Sequence, residues 1–277
     1  MNRPHTHHSR LAYAGTAFIV AYCLAPCYWM VVSALRRPND QFSNALLPNP
    51  VSLDNFSAAF DPANGFGRGL LNSLVVAGAT TVITLVLASC AAYALARLRF
   101  RGKPVVLGLI AATAMFPGIT LLIPLLKLFA GVGWINTYQA MVLPSLTFGL
   151  PLAVWNLTAF FQQLPRELEE AAEIDGCSPA NAFVKVMLPL AAPGVFTTAI
   201  LVFIASWNEF LFAVSVVNKK DMMTANVIVS LFNGRYGYDQ PYGSQMAAGV
   251  AVTLPLVVAV LFFQRRIVAG LTAGGVK

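Results

Sequence analysis

Long apolar stretches without Asp, Glu, Lys or Arg alternate with short polar ones along the whole chain. Leu11–Leu35, Gly69–Ala96 and Pro104–Leu126 are charge-free, and Leu128–Pro165 contains a fourth apolar run over Tyr138–Phe161. Gly194–Val217 is interrupted only by Glu209, and Gln245–Gln264 is the last such stretch. A bilayer core about 30 Å thick needs roughly 20 apolar residues per helix. The pattern therefore predicts an all-α membrane protein with six transmembrane helices at about 11–35, 70–96, 104–126, 138–161, 194–217 and 245–264. They make one transmembrane domain, 11–266, between an N-terminal tail, 1–10, and a C-terminal tail, 267–277.

Composition agrees with this pattern. Only 10% of the 277 residues are charged and 57% are hydrophobic, against roughly 25% charged in a soluble globular chain; mean hydropathy is +0.68. Arg3 and Arg10 precede the first run as they would in a signal peptide. That run is longer than the roughly 7–15 apolar residues of such a peptide and has no small-x-small cleavage site, so an uncleaved helix is expected.

Basic residues set the orientation. "RLRFRGK" joins the second and third spans and carries Arg97, Arg99, Arg101 and Lys103, the signal of a cytoplasmic loop. Both termini and residues 162–193 then face the cytoplasm, with eleven basic residues inside and seven outside. The net charge of +7 thus reflects topology and gives no reason to expect nucleic acid. Cys23, Cys27 and Cys90 fall in spans and Cys177 on the cytoplasmic side, so no disulfide is expected.

Outside the spans, "SLDNFSAAF" in the 36–68 loop predicts a short amphipathic surface helix. "NGRYGYDQPYGS" in the 218–244 loop suits either a mobile segment or a polar-aromatic contact surface. Pro26, Pro117, Pro124, Pro144, Pro151 and Pro255 lie within spans as kinks, in a static bundle or around a moving pathway. "GFGRG" (65–69) precedes a membrane helix with no strand before it and is expected to be a hinge. "HTHH" (5–8) is expected to be a solvated tail and not a metal site.

The one long cytoplasmic connection concentrates the carboxylates. Glu167, Glu169, Glu170, Glu173 and Asp175 fall within nine residues. "LPRELEEAAEIDG" opens at Pro165, puts acidic residues at the positive end of a helix dipole and stops at Gly176; in "CSPANAFVKVMLP", Ser178 is the N-cap, Pro179 follows, and Pro189 ends the helix. A helix, glycine turn, helix unit is predicted. Leu164, Leu168 and Ala171 share one face, and Ala180, Val184 and Met187, or Phe183 and Met187, another. Two such short helices bury little against each other, so the unit reads either as a docking knob for a partner or as a helix pair lying on the membrane.

"EAAEIDG" followed after eleven residues by "LP" resembles the EAA loop of ATP-binding-cassette importer permeases, matching at Glu170, Ala171, Ala172, Gly176, Leu188 and Pro189. The likeness continues through "LNS" (71–73), "AAYALAR" (91–97), "FPGI" (116–119), "SWNEF" (206–210) and "GLTAGGVK" (270–277). It is greatest to the second permease of maltose-type carbohydrate importers, of which trehalose importers are one branch. The resemblance implies a type I ABC importer permease fold in the bacterial inner membrane and a coupling (EAA) loop at 164–189. That loop would seat Glu170, Ala171, Ala172, Asp175, Gly176, Phe183, Leu188 and Pro189 against the ATPase. It implies a tail contact through Gly270, Leu271, Thr272, Gly274 and Gly275. The partners would be a second, different permease, two ATPase subunits, an extracytoplasmic binding lipoprotein and a sugar, first of all a disaccharide such as trehalose or maltose.

No G-x-x-x-x-G-K-[ST] is present, so ATP hydrolysis is not expected of this chain; the resemblance implies a chain that is no enzyme and binds no cofactor, with ATP and Mg²⁺ on the partner ATPases. Trp207, Asn208 and Glu209 are candidate pathway residues, since a carboxylate within a span usually faces a bundle interior or a watery cavity. A structural pair with a neighbouring permease helix is the other reading of Glu209. The rival functions are a proton-coupled secondary transporter using Glu209, and a membrane enzyme, for which no nucleophile or metal cluster is seen.

Overall fold

The computed structural model describes residues 6–232 and 241–273, with side chains over 12–232 and 241–264. The helices are α1 (Thr6–Ala34), α2 (Asp54–Ala59), α3 (Phe66–Arg97), α4 (Lys103–Ala114), α5 (Gly118–Gly131), α6 (Tyr138–Gln163), α7 (Glu167–Ile174), α8 (Pro179–Ala182), α9 (Leu188–Leu190), α10 (Ala192–Trp207), α11 (Leu211–Val216), α12 (Ala225–Ser230) and α13 (Tyr242–Ala273). A π-helical turn, Phe183–Met187, joins α8 to α9. Four helical segments are long and apolar enough to cross a membrane: Ala12–Ala34, Phe66–Arg97, Tyr138–Gln163 and Tyr242–Gln264.

Two further segments are broken. The third expected span is not one kinked helix: α4 and α5 meet at 89°. Pro117, extended at φ −64° and ψ 119°, caps α5 and has no N–H to continue α4, while its ring disfavours helix at Phe116. Pro144 and Pro151, by contrast, lie inside a continuous α6, as Pro26 and Pro124 lie inside α1 and α5. The fifth expected span also divides. α10 stops at Trp207, and α11 resumes at Leu211 after a turn at Asn208–Phe210.

Two compact units divide the chain: residues to Phe66 with Val229–Leu254, and Gly67–Ile228 with the segment from Pro255 onward. In the first, α2 forms as expected, and polar Asn55 is buried in it together with Ala59. Asn55 Nδ2 donates to the carbonyls of Ala34 at 3.0 Å and Arg36 at 2.7 Å, satisfying acceptors that the end of α1 leaves open. The Arg36 guanidinium lies 4.7 Å over the Trp29 ring.

In the second unit α6 is the central helix, with 61% of its most apolar window buried. α10 packs closely on it at Gly194, where an added Cβ would come within 2.4 Å of the Phe160 ring; Asn156 Nδ2 donates to Thr198 Oγ1 at 2.7 Å across the same seam. At the other end, "LNS" has a structural job. Asn72 Nδ2 donates to the carbonyls of Asp221 and Met223, both at 2.9 Å, and its Oδ1 accepts from the Tyr138 hydroxyl at 2.8 Å. Of the expected hinge "GFGRG", Phe66–Gly69 instead forms the first turn of α3, after a left-handed turn at Gly65.

Candidate functional site

The carboxylate-rich segment folds as two short helical arms joined at a glycine. Arg166 precedes α7 without a side-chain cap, and Glu167, Glu169 and Glu170 occupy its first turn, where the exposed amides favour negative charge. At the other end the Gly176 N–H donates to Glu173 O at 3.0 Å and the Cys177 N–H to Ala172 O at 2.9 Å. That pair of bonds is a Schellman motif and puts Gly176 at φ +86°, a region that costs any residue with a Cβ about 1–2 kcal/mol. Ser178 Oγ then accepts from the Asn181 N–H and starts α8 at Pro179.

Pro189 does not end the second arm; it lies inside α9, and the chain bends by 75° between α9 and α10. The π turn accommodates it. The Leu188 N–H donates to Phe183 O, five residues back, and this wider turn leaves room for a proline ring that would otherwise meet the carbonyl four residues before it.

The arms have distinct inner and outer surfaces. Ala172, Ala182 and Met187 are buried and Phe183 is half-buried, whereas Leu168 is 39%, Val184 57% and Ile174 86% exposed. Glu170, Ala171, Asp175 and Pro189 are exposed, and Leu188 is half-buried. Of the apolar face expected on the first arm, Leu164 turns inward while Leu168 and Ala171 stay outside. The outer surface thus combines carboxylates with unpaired apolar side chains.

Three residues missing from the expected site hold the arms to the bundle. Glu169 lies between the last turn of α3 and α7: one carboxylate oxygen accepts from the Tyr93 hydroxyl, and the other is 3.5 Å from Arg97 Nε. Arg97 Nη2 also donates to Leu164 O at 2.7 Å. The Tyr93 ring lies 4.6 Å from that of Phe183 and 5.9 Å, edge-on, from that of Phe161. The Arg97 side chain is only 5% exposed, so removing Glu169 would strand a buried cation at a cost of about 3–5 kcal/mol. A sequence signal was available: Tyr93 and Arg97 are four apart on one helix face, and the arms carry an excess of carboxylates.

Trp207, Asn208 and Glu209 sit at the break after α10. Trp207 is 3% exposed and stacks on Phe203 at 5.6 Å, so its ring packs inside the unit. Asn208 is exposed, and its Nδ2 donates to Ile204 O at 2.8 Å. The Glu209 carboxylate accepts from the N–H groups of Phe212 at 2.7 Å and Ala213 at 3.1 Å, capping α11. A cavity of about 450 Å³ opens elsewhere, between α3 and the second arm, lined by Leu85, Val86, Phe183, Leu188 and Phe196 among others. Its walls offer almost no hydrogen-bond partners, so it does not suit a sugar. Of the tail residues, Gly270, Leu271 and Thr272 belong to α13, with side chains outside the described set; Gly274, Gly275, His5 and residues 233–240 also lie outside the described residues.

Residues 84–272, more than half of the chain, match the profile of the family described as binding-protein-dependent transport system inner membrane component. The chain belongs to that family. The permease is 43% identical over 259 residues to the trehalose transport system permease protein SugB of Mycobacterium tuberculosis, covering 94% of both chains. It is 40% identical over 264 residues to the trehalose/maltose transport system permease protein MalG of Thermococcus litoralis, covering 95% of both. To the sulfoquinovosyl glycerol transport system permease protein SmoH of Agrobacterium fabrum it is 36% identical, covering 96% of this chain and 93% of that one. Its fold matches a chain of a bacterial ABC transporter that imports the acidic polysaccharide alginate, with TM-score 0.78, 18% identity and coverage of 95% and 99%. A chain of the MetNI methionine ABC transporter matches at TM-score 0.58 and 18% identity, over 74% of the permease. The permease is therefore an all-α membrane protein with the type I ABC importer fold, a transport component and not an enzyme.

Proposed function

We propose that this permease forms half of the translocation pathway of an ATP-driven sugar importer and couples to the ATPase subunits through residues 164–189. The observation that carries this reading is the two-armed unit itself. Its turn is fixed by capping, its inner side is anchored on α3 and α6, and its outer side leaves Leu168, Ala171, Ile174 and Val184 uncovered beside Glu170 and Asp175. Such a surface suits a socket on another protein. Glu170, Ala171, Ala172, Asp175, Gly176, Phe183, Leu188 and Pro189 either face that socket or shape the arms that do.

The partners in this reading are a second, different permease, two ATPase subunits and an extracytoplasmic binding lipoprotein. A disaccharide of the trehalose or maltose kind is the favoured cargo, supported by the names of the relatives at 43% and 40% identity. ATP and Mg²⁺ bind to the ATPases, and this chain holds no cofactor. The N- and C-termini lie in the cytoplasm of a bacterial cell, and Gly270, Leu271, Thr272, Gly274 and Gly275 add a tail contact. Of the candidate pathway residues Trp207, Asn208 and Glu209, exposed Asn208 is the one that borders the pathway, since Trp207 packs inside its unit and Glu209 caps α11.

Transport proceeds by alternating access. ATP closes the ATPase pair, the socket shifts, and the arms pass that shift to the bundle; only a difference in affinity between the two socket positions can drive this. Co-purification tests the reading. Glu170→Lys combined with Gly176→Pro should leave the permease in the membrane and strip it of ATPase. Undiminished ATPase recovery with normal uptake in that variant would refute it.

A further inference from the structure

The two arms are joined covalently to the bundle only at bends. Leu164, which leads from α6 into α7, is extended at φ −72° and ψ 137°, and the 75° bend separates the second arm from α10. Bends can pivot, so the covalent joints alone do not oblige the bundle to follow the arms. α3 has no covalent joint to the arms at all. Its connection is made by side chains: Tyr93 and Arg97 to Glu169, Arg97 to Leu164 O, and the Tyr93 ring on Phe183.

We propose that Glu169 is a positioning residue that locks α3 to the coupling arms, so that a displacement of the arms is passed directly to this 32-residue helix. The proposal rests on the coupling reading above and adds a division of labour between adjacent carboxylates. Glu170 is exposed toward the socket; Glu169, with its side chain 17% exposed, faces inward. The geometry suits a lock. Each oxygen of Glu169 meets a different partner on successive turns of α3, which fixes the carboxylate in rotation as well as in distance. Glutamine could still accept from Tyr93 but would leave the buried Arg97 charge uncompensated.

The far end of α3 makes the lock consequential. Asn72, on the same helix, holds the backbone at Asp221 and Met223. α3 thus links the arms to the loop that follows α11. With the lock cut, the arms would still dock and the ATPases would still cycle, but α3 would lag behind them.

The test uses the assembled importer in proteoliposomes, with its second permease, ATPases and binding protein. It compares wild type with Glu169→Gln, Glu169→Asp and Tyr93→Phe, and measures ATPase co-purification and sugar taken up per ATP hydrolysed. Glu169→Gln should keep its ATPase while uptake per ATP falls about tenfold, because the buried Arg97 charge loses the carboxylate that pairs with it. Tyr93→Phe, which removes a single hydroxyl, should fall in the same direction and add little on the Glu169→Gln background; Glu169→Asp should recover part of the loss. An unchanged uptake-to-ATP ratio in both Glu169→Gln and Tyr93→Phe overturns the proposal, as does loss of the ATPase from Tyr93→Phe. If Glu169→Gln fails to accumulate, Tyr93→Phe alone decides. Wild-type uptake that needs no ATPase would refute the coupling reading, a result distinct from either.

Discussion

At the residue scale, Glu209 shows how an unusual side chain can be committed to structure. Both of its oxygens accept amides from the first turn of α11, and a cap of this kind contributes about 1 kcal/mol. Glutamine keeps one acceptor oxygen. Glu209→Gln is therefore expected to retain ATP-driven uptake within a few-fold. Uptake by the variant with and without an imposed proton gradient checks this, because a proton carrier would lose all transport on losing its carboxyl group. The sequence drew attention to Glu209 for being charged in an apolar run. It could not show the broken helix whose open amides give that charge its partners.

At the element scale, α6 and α10 meet through a seam that tolerates no added volume at Gly194. Gly194→Val is expected to destabilise the purified permease by about 1–3 kcal/mol through overpacking against Phe160. Thermal unfolding in detergent measures the loss, and Phe160→Ala on the same background should recover part of it. The capping residues of the two arms were legible beforehand, because Gly176, Ser178 and Pro179 act on their immediate neighbours in the chain. The 89° break at Pro117 was not. A proline by itself does not dictate a break: Pro26, Pro124, Pro144 and Pro151 all lie inside continuous helices.

At the scale of the whole molecule, the distribution of Lys and Arg predicts an orientation with the arms on the cytoplasmic side. Cys177, half-buried in the turn between the arms, gives a direct check. With Cys23, Cys27 and Cys90 replaced, a membrane-impermeant thiol reagent should label Cys177 in inside-out vesicles and not in intact spheroplasts. Labelling only from the outer face would reverse the topology and remove the coupling assignment with it. The exposed apolar side chains along α1 and α13, such as Phe18 at 71% and Phe262 at 81%, suit contact with lipid or a partner helix.

The sequence alone determined the features that depend on near neighbours or bulk partition: the apolar stretches, the charge asymmetry, the capped turn at Gly176 and the short helix at α2. The fold resemblance was also legible there, since "EAAEIDG" keeps its residues close together in the chain. The tertiary structure decided which helices stay continuous, which arm surface faces outward, and that Glu169 meets Tyr93 and Arg97 rather than solvent. The physical reason is separation along the chain. Tyr93 and Glu169 are 76 residues apart, and no local propensity or hydropathy pattern encodes a hydrogen bond that exists only once α3, α6 and the arms have packed.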